Sequence, residues 1–150
     1  YLSGERTPHN APDATGAFHG LRRGHGLPDM VQSVMEGVGF AFADCCRALE
    51  QCGSLPERVC VAGGGSQSET WLQMIADITG LTLDVPESGA QGAALGAARL
   101  AMLGSSDAAQ AEVIHPPKIR KSIAPNPALE GAYAKSYAAY RQAWTGRQTR

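Results

Sequence analysis

The residues best suited to chemistry form a glycine-rich loop near the middle of the chain. The loop, Gly63–Ser66, follows a short strand candidate over 58–62 and precedes a helical pattern. Glycines let a backbone approach a phosphate, and the free N–H groups and dipole of a helix N-terminus favour negative charge. A second interpretation is a tight strand-to-helix turn that needs glycine only for its dihedral angles. Spacing alone leaves both interpretations open.

Known sequence patterns narrow the kinds of phosphate-binding loop that this segment could be. The Walker A pattern G-x-x-x-x-G-K-[ST] does not occur in the sequence. The dinucleotide fingerprint G-x-G-x-x-G fits at Gly63 and Gly65 but has Ser68 where its last glycine belongs. Asp84 lies 21 residues after Gly63, a separation suited to that fingerprint's ribose-binding acid. An NAD-type dinucleotide-binding oxidoreductase domain therefore stays an alternative.

Cysteine spacing and charge argue against other classes of function. The four cysteines form no C-x-x-C pair and have no His at zinc-ligand spacing, so they predict reduced thiols and no metal site: Cys45, Cys46, Cys52 and Cys60. The 13 Lys and Arg nearly balance 14 Asp and Glu. Nucleic acid or an anionic membrane would require a basic face, so neither is expected as a partner. Every apolar run is far shorter than the roughly 20 residues that span a bilayer.

The first third of the chain divides into an irregular segment and a long helix. Residues 1–28 are rich in Gly, Pro, His and Arg and predict irregular chain. From Pro28 to Cys52 apolar residues recur at helical spacing, at Val31, Val34, Met35, Val38, Phe42, Cys45, Leu49 and Cys52. Gly37 and Gly39 inside this helix indicate close contact with a neighbour.

The elements around the glycine loop alternate between strand and helix. A short strand over 58–62 leads into the loop, and a helix over 69–79 follows it, with Ser66 and Glu69 at capping-box spacing. Alternation over 81–85 predicts a half-buried strand. Residues 92–103 predict an Ala-rich helix, in which Gly92 and Gly96 would allow close contact with a neighbour. A connector over 105–127, a helix with an aromatic stripe from Leu129 to Trp144 and a basic tail over 147–150 complete the chain.

This alternation predicts an α/β layer with a small sheet. Two strands alone make a marginal sheet, so we expect its other strands to come from sequence upstream of residue 1.

Several motifs together resemble the FGGY family of carbohydrate kinases, and among them the members that act on xylulose. The motifs occur in family order over residues 1 to about 104: Tyr1-Leu-Ser-Gly-Glu-Arg-Thr-Pro-His-Asn10, Gly16-x-Phe-x-Gly-Leu21, Glu36-Gly-Val-Gly-Phe-Ala41, the Gly63–Ser66 loop, Trp71-x-Gln-Met-x-Ala-Asp-Ile-x-Gly80 and Gly92-Ala-Ala-Leu-Gly-Ala-Ala-Arg-Leu-Ala101. Several motifs in one order are much more specific than a glycine loop alone.

The resemblance implies part of an actin-like ATPase (ribonuclease H-like) domain. It divides the chain into an interdomain or active-site loop region over 1–28, the core of the C-terminal kinase domain over 29–104, and a connector with a C-terminal helix over 105–150. It implies a cytoplasmic enzyme that transfers phosphate from ATP, with Mg²⁺, to a sugar such as D-xylulose. Glycerol, gluconate and ribulose kinases share the architecture, and a non-catalytic actin-like scaffold is a further alternative.

The resemblance also assigns site residues. The ATP-binding residues would be Gly63, Gly64, Gly65, Ser66 and Ser68, the last beside adenine or ribose where relatives often have Asn. Arg6 is a candidate for phosphate contact at the domain interface. The general base and most of the sugar pocket are expected upstream of Tyr1, in a missing N-terminal domain, so an isolated 150-residue chain would be inactive. A homodimer is compatible with the family.

Overall fold

The computed structural model describes residues 1–106 and 109–148. The predicted connector and basic tail fall partly on residues 107, 108, 149 and 150, which lie outside the described residues. In the described part, no helix combines the length and apolarity that a membrane crossing requires. The same ranges contain no group of three or more His, Cys, Asp or Glu side chains arranged to hold a metal ion.

The opening segment contains a two-stranded antiparallel hairpin, so the expectation of irregular chain over all of 1–28 was wrong. Strand β1 (Ser3–Glu5) pairs with β2 (Ala11–Thr15), with an irregular register between Ser3 and Glu5. Gly4 has φ +86°, and a Cβ built there would lie 2.6 Å from the carbonyl oxygen of Pro12. Sequence patterns missed the hairpin because β2 contains Pro12 and Asp13, both poor strand formers.

The long amphipathic helix is confirmed. Helix α1 (Leu27–Gln51) has a proline in its first turn, and the N–H of Gly26 donates to the Asp29 carboxylate at 2.8 Å. Its buried positions are Gly39, Phe40 and Asp44. A Cβ on Gly39 would lie 2.6 Å from the side chain of Ile78, so this glycine allows the close contact that was expected. Gly37 faces open space, so the same expectation was wrong there.

Most of the predicted apolar stripe of α1 is exposed in this chain. The exposed side chains include Val31, Val34, Val38, Phe42 and Leu49. Among the described elements, two helices contact α1 most, those of residues 69–79 and 130–148. They pack on the other side of α1, which carries Gly39, Phe40 and Asp44.

A three-stranded sheet carries the glycine loop. Strand β3 (Arg58–Cys60) is parallel to β4 (Thr82–Pro86), and β5 (Ile119–Ile123) is antiparallel to β4, giving the order β3-β4-β5. Strand β5 lies within the predicted connector. Its charged residues Arg120 and Lys121 hide it from a hydrophobic pattern, as is common at sheet edges.

Strand β4 is the centre of the core, and the prediction that it is half-buried was wrong. Leu83 is 1% exposed and Asp84, on the opposite face, is 8% exposed. Helix α2 (Glu69–Thr79) connects β3 to β4 and ends at Gly80, whose φ is +72°. The core contains Leu72, Ala76, Leu81, Leu83, Val85 and Ile123.

Three helices follow the parallel strands. Helix α3 (Gly92–Ser105) comes after β4, and α4 (Gln110–Val113) precedes β5. Helix α5 (Glu130–Gln148) carries the predicted aromatic stripe. The stripe packs on α1, where the ring centroid of Phe40 lies 6.0 Å from that of Tyr137 and 5.4 Å from that of Tyr140.

Candidate phosphate-binding site

Two loops meet at the carboxyl ends of the parallel strands β3 and β4. The glycine loop follows β3, and a short turn at Gly89–Gln91 follows β4. The N–H of Gly63 donates to the carbonyl oxygen of Gly89 at 2.8 Å and joins the two loops. In open α/β sheets, ligands bind in the crevice outside the carboxyl ends of the strands. The sheet therefore places the glycine loop where a ligand is expected.

Gly63 and Ser66 hold the loop in shape. Gly63 has φ +94°, a conformation that favours glycine. Its carbonyl oxygen accepts from the N–H of Ser66 at 3.1 Å and from the Ser66 hydroxyl at 2.7 Å. Ser66 is 6% exposed. The N–H groups of Gly63 and Ser66 both bond within the protein and are not open to a ligand. These two residues therefore contribute by fixing the conformation of the loop.

Gly64 and Gly65 present the open part of the loop. Both are exposed, and within the described ranges neither N–H donates a hydrogen bond to a protein group. A Cβ on Gly64 would contact nothing within 4 Å, whereas one on Gly65 would lie 2.7 Å from the indole of Trp71. These two N–H groups are therefore free to donate to an anion, and Gly64 has open space in front of it.

Ser68 begins α2, which corrects the predicted cap. The Ser68 hydroxyl oxygen accepts from the N–H of Trp71 at 3.4 Å, so Ser68, not Ser66, is the N-cap. Glu69 does not close a capping box with Ser66. It forms an ion pair with Lys121 at 2.7 Å, and this partner lowers the pKa of the Glu69 carboxyl. Ser68 is exposed, and its hydroxyl donates to no group of the described residues.

Asp84 is engaged inside the protein and is not available to a ribose. Its carboxylate accepts from the Arg58 guanidinium at 2.6 and 3.0 Å and from the Ser122 hydroxyl. The Ser122 hydrogen bond, then those of Arg58, lower the pKa of Asp84. The acid on which the dinucleotide alternative depends therefore has a structural role.

Arg6 lies at the tip of the hairpin. Its side chain is exposed, and its carbonyl oxygen accepts from the N–H of Asn10 at 3.2 Å. Among the described residues, no hydrogen bond or ion pair joins its guanidinium to the glycine loop. The structure thus brings Gly63, Gly64, Gly65, Ser66 and Ser68 together and leaves Arg6 apart from them.

The turn after β4 is a part of the site that sequence reasoning missed. Gly89 is buried against the glycine loop, where a Cβ would lie 3.2 Å from the carbonyl oxygen of Val61. A Cβ on Gly92 would lie 2.8 Å from that of Ala62. Sequence patterns gave no expectation for Gly89, but close contact was expected at Gly92 and Gly96. The contact occurs at Gly92, whereas Gly96 has open space around it, so the expectation was wrong there.

Comparison with known proteins identifies the family of this chain. Residues 1–105 match the model of the FGGY family of carbohydrate kinases, C-terminal domain. Over 144 residues, 94% of this chain, the sequence is 44% identical to the xylulose kinase of Escherichia coli K12. Over 109 residues, 73% of the chain, it is 50% identical to the xylulose kinase of Klebsiella pneumoniae.

The solved structures give the same result. The chain is similar to a xylulose kinase from Brucella ovis, with a TM-score of 0.86 and 37% identity over 99% of this chain. The α/β, actin-like ATPase fold class is therefore confirmed. The matched segments make up 28% and 22% of the two curated relatives and 31% of the solved chain. The chain thus spans less than a third of each.

Proposed function

This chain belongs to the FGGY family of carbohydrate kinases, and we propose that the whole protein transfers phosphate from ATP to a sugar, converting D-xylulose to D-xylulose 5-phosphate. The observation that carries this proposal is the open glycine loop at the carboxyl end of β3, with the unpaired N–H groups of Gly64 and Gly65. The sugar is chosen because the E. coli and Klebsiella relatives are xylulose kinases.

In this proposal the five loop residues divide into two roles. The N–H groups of Gly64 and Gly65 hold phosphate oxygens of ATP, and the exposed Ser68 hydroxyl contacts the nucleoside end. Gly63 and Ser66 act indirectly, because their hydrogen bonds with each other and with Gly89 fix the loop. Such a cradle works without reorganisation, since its donors are already placed before the nucleotide arrives.

We assign the chain to part of a C-terminal domain with the proposed limits 1–28, 29–104 and 105–150. The rest of the protein would supply the general base, the sugar pocket and the strands that pair with β3. Two features support this: β3 has a neighbour on one side only among the described strands, and the α1 stripe around Val31, Val34 and Val38 is exposed. Both would be covered in a complete actin-like domain. A cytoplasmic location and a homodimer stay predictions.

Phosphoryl transfer depends mainly on positioning and on electrostatic stabilisation of the transferring group. This chain's share is to orient the nucleotide phosphates by backbone N–H groups. Closure of the two domains would exclude water and limit ATP hydrolysis. Mg²⁺ would enter bound to the phosphates of ATP. Among the described residues, no group of three or more His, Cys, Asp or Glu side chains is arranged to hold a metal ion. We therefore assign no residue of this chain to the metal.

The test uses the full-length protein. Sugar-dependent ADP formation should be fastest with D-xylulose when compared with D-ribulose, gluconate and glycerol, and the 150-residue chain alone should show none. ATP should raise the melting temperature and NAD should not. Protection by NAD instead of ATP would support the dinucleotide alternative. Protection by ATP without turnover on any sugar would support a non-catalytic scaffold.

A further inference from the structure

The indole of Trp71 packs against the glycine loop at Gly65. Trp71 stands in the first turn of α2. A Cβ built on Gly65 would lie 2.7 Å from its Cζ3, 3.3 Å from its Cε3 and 3.7 Å from its Cη2, all atoms of the six-membered part of the ring. Gly65 can approach the ring this closely only because it has no side chain. One side of Gly65 is therefore occupied by the ring.

Hydrogen bonds and helix packing hold Trp71 in place. Its backbone N–H donates to the Ser68 hydroxyl oxygen at 3.4 Å, and its indole Nε1 donates to the carbonyl oxygen of Met35 on α1 at 3.4 Å. Two turns further along α2, Ile78 packs closely against Gly39 of α1. Helix α1 therefore contacts α2 at both positions and bonds directly to the indole.

The open part of the loop needs such a support. Glycine has the greatest backbone freedom of all residues, whereas a phosphate cradle works best when its donors are already fixed. The N–H groups of Gly64 and Gly65 donate to no protein group within the described ranges, so no hydrogen bond of their own sets their direction. Gly63 is bonded on one side, and on the other the N–H of Ser68 donates to the Gly65 carbonyl oxygen at 3.2 Å. Between these bonds, the Trp71 ring is the nearest neighbour on the side of Gly65 where a Cβ would project.

We propose that Trp71 is a positioning residue for the phosphate cradle: its ring, held by α1, supports the loop at Gly65 and so sets the directions of the Gly64 and Gly65 N–H groups. The proposal rests on the proposed kinase function and extends it to a residue outside the loop. Trp71 is not a catalytic residue, because it acts through Gly65. Loss of the ring should weaken nucleotide binding and spare sugar binding, since we assign the sugar pocket to the rest of the protein.

The experiment is a double-variant cycle in the full-length protein, with ATP affinity measured by titration and folding checked by thermal melt. Trp71→Leu and Gly65→Ala should each weaken ATP binding by about tenfold, an effect of the size measured between contacting residues. The first removes the support. The second places a methyl group where the ring lies, so that the loop or the ring must move. In the double variant the methyl group no longer meets the ring, so ATP should bind no more weakly than to Trp71→Leu alone.

Two further variants separate positioning from a general loss of structure. Trp71→Phe shortens the ring and should weaken ATP binding less than Trp71→Leu does. If Trp71→Leu does not fold, Trp71→Phe takes its place in the cycle. Trp144→Phe is the matched control, because Trp144 packs on Tyr1 and His9 instead, and it should leave ATP affinity unchanged. Xylulose affinity without nucleotide should be unchanged in every variant.

The outcomes distinguish this proposal from the kinase proposal. Additive losses in the double variant, equal losses of ATP and xylulose affinity, or unchanged ATP affinity in a folded Trp71→Leu protein would each overturn the positioning role and leave the kinase proposal standing. A protein that shows the non-additive loss of ATP affinity, yet forms no ADP with any sugar, would refute the kinase proposal and keep the positioning role.

Discussion

The glycine loop and the Asp44 cluster are built in opposite ways. The cluster consists of Asp44 with the side chains packed around it: Tyr1, His9, Tyr137 and Trp144. The loop is mostly backbone: apart from the Ser66 hydroxyl, its internal contacts are made by N–H and carbonyl groups, and Gly64 and Gly65 are exposed. The cluster consists of side chains, with aromatic rings and a carboxylate that is 4% exposed. The loop leaves N–H donors open to a ligand, whereas the carboxylate at the centre of the cluster already accepts from groups of its own protein.

This difference predicts how each region responds to mutation. A loop made of backbone is sensitive to volume and charge in the space in front of it, and its variants can keep the fold while losing the ligand. A buried side-chain network is sensitive to the loss of a partner, because an unpaired buried polar group costs free energy of unfolding. The first three predictions below test this contrast, and the fourth tests an ion pair outside both regions. They run from the largest expected effect to the smallest.

Gly64→Asp should weaken ATP binding by about 1,000-fold in the full-length protein. Two unit charges about 4 Å apart interact by about 4 kcal/mol at an effective dielectric constant near 20. Gly64 is not in the left-handed region and has open space around it, so the variant should fold. The measurement is an ATP titration, paired with a thermal melt.

Gly64→Ala is the matched control and should lose much less affinity, since it adds volume without charge. Xylulose affinity without nucleotide should change little in either variant. A folded Gly64→Asp protein with ATP affinity like that of the parent would refute the phosphate assignment.

Asp44→Ala should lower the free energy of unfolding by about 3 kcal/mol, because it leaves two half-buried hydroxyl donors without their acceptor. The donors are the hydroxyls of Tyr1 and Tyr137. Urea unfolding of the full-length protein measures the change. The exposed Glu50→Ala on the same helix should stay within about 0.5 kcal/mol of the parent. Equal effects at the two positions would contradict the account of the cluster.

Two tyrosines on α5, Tyr137 in the Asp44 cluster and Tyr140 beside it, form a finer comparison. Tyr137→Phe removes the 2.6 Å hydrogen bond to Asp44 and should cost about 1–2 kcal/mol of unfolding free energy. Tyr140→Phe should cost less than Tyr137→Phe, because the buried Tyr140 hydroxyl lies near the Tyr1 hydroxyl but forms no hydrogen bond of good geometry among the described residues. Urea unfolding of both variants measures the difference. A larger loss of unfolding free energy in Tyr140→Phe than in Tyr137→Phe would contradict this account of the two hydroxyls.

The ion pair between Arg58 and Asp84 predicts a small pH dependence of stability. Hydrogen bonds from Ser122 and Arg58 lower the pKa of Asp84 in the folded protein. A carboxyl with a lowered folded-state pKa stabilises the fold above its unfolded pKa, roughly 3.9, and this is lost as the pH falls through the folded value. Arg58→Met should therefore lower the melting temperature at neutral pH, and the difference should shrink below about pH 4. A difference that is constant with pH would show that the pair's charge is unimportant.

The strongly periodic elements were predictable from the sequence, and the weakly periodic ones were not. Helices α1 and α2 lie within a residue or two of their predicted limits, because their apolar residues recur at helical spacing and Gly53 and Gly80 follow them. Strand β5 and the hairpin were missed, because Lys121, Pro12 and Asp13 obscure any alternation.

The Asp44 cluster shows why the rest could not be predicted. Its members are separated by up to 143 positions, from Tyr1 to Trp144, and no local pattern connects them. The glycine loop was visible because its residues are consecutive. Even there, the sequence could not show which N–H groups of the loop bond within the protein and which stay open. The N–H of Gly63, for example, bonds to Gly89, which lies in the turn after the neighbouring strand β4.

The most direct test of the central claim is a crystal structure of the full-length protein with a non-hydrolysable ATP analogue. We predict phosphate oxygens within about 2.7–3.2 Å of the backbone nitrogens of Gly64 and Gly65, the ordinary range for N–H···O hydrogen bonds. The Gly63–Gly89 hydrogen bond should persist unchanged. A nucleotide whose phosphates lie away from this loop, with both nitrogens bonded only to water, would contradict the claim.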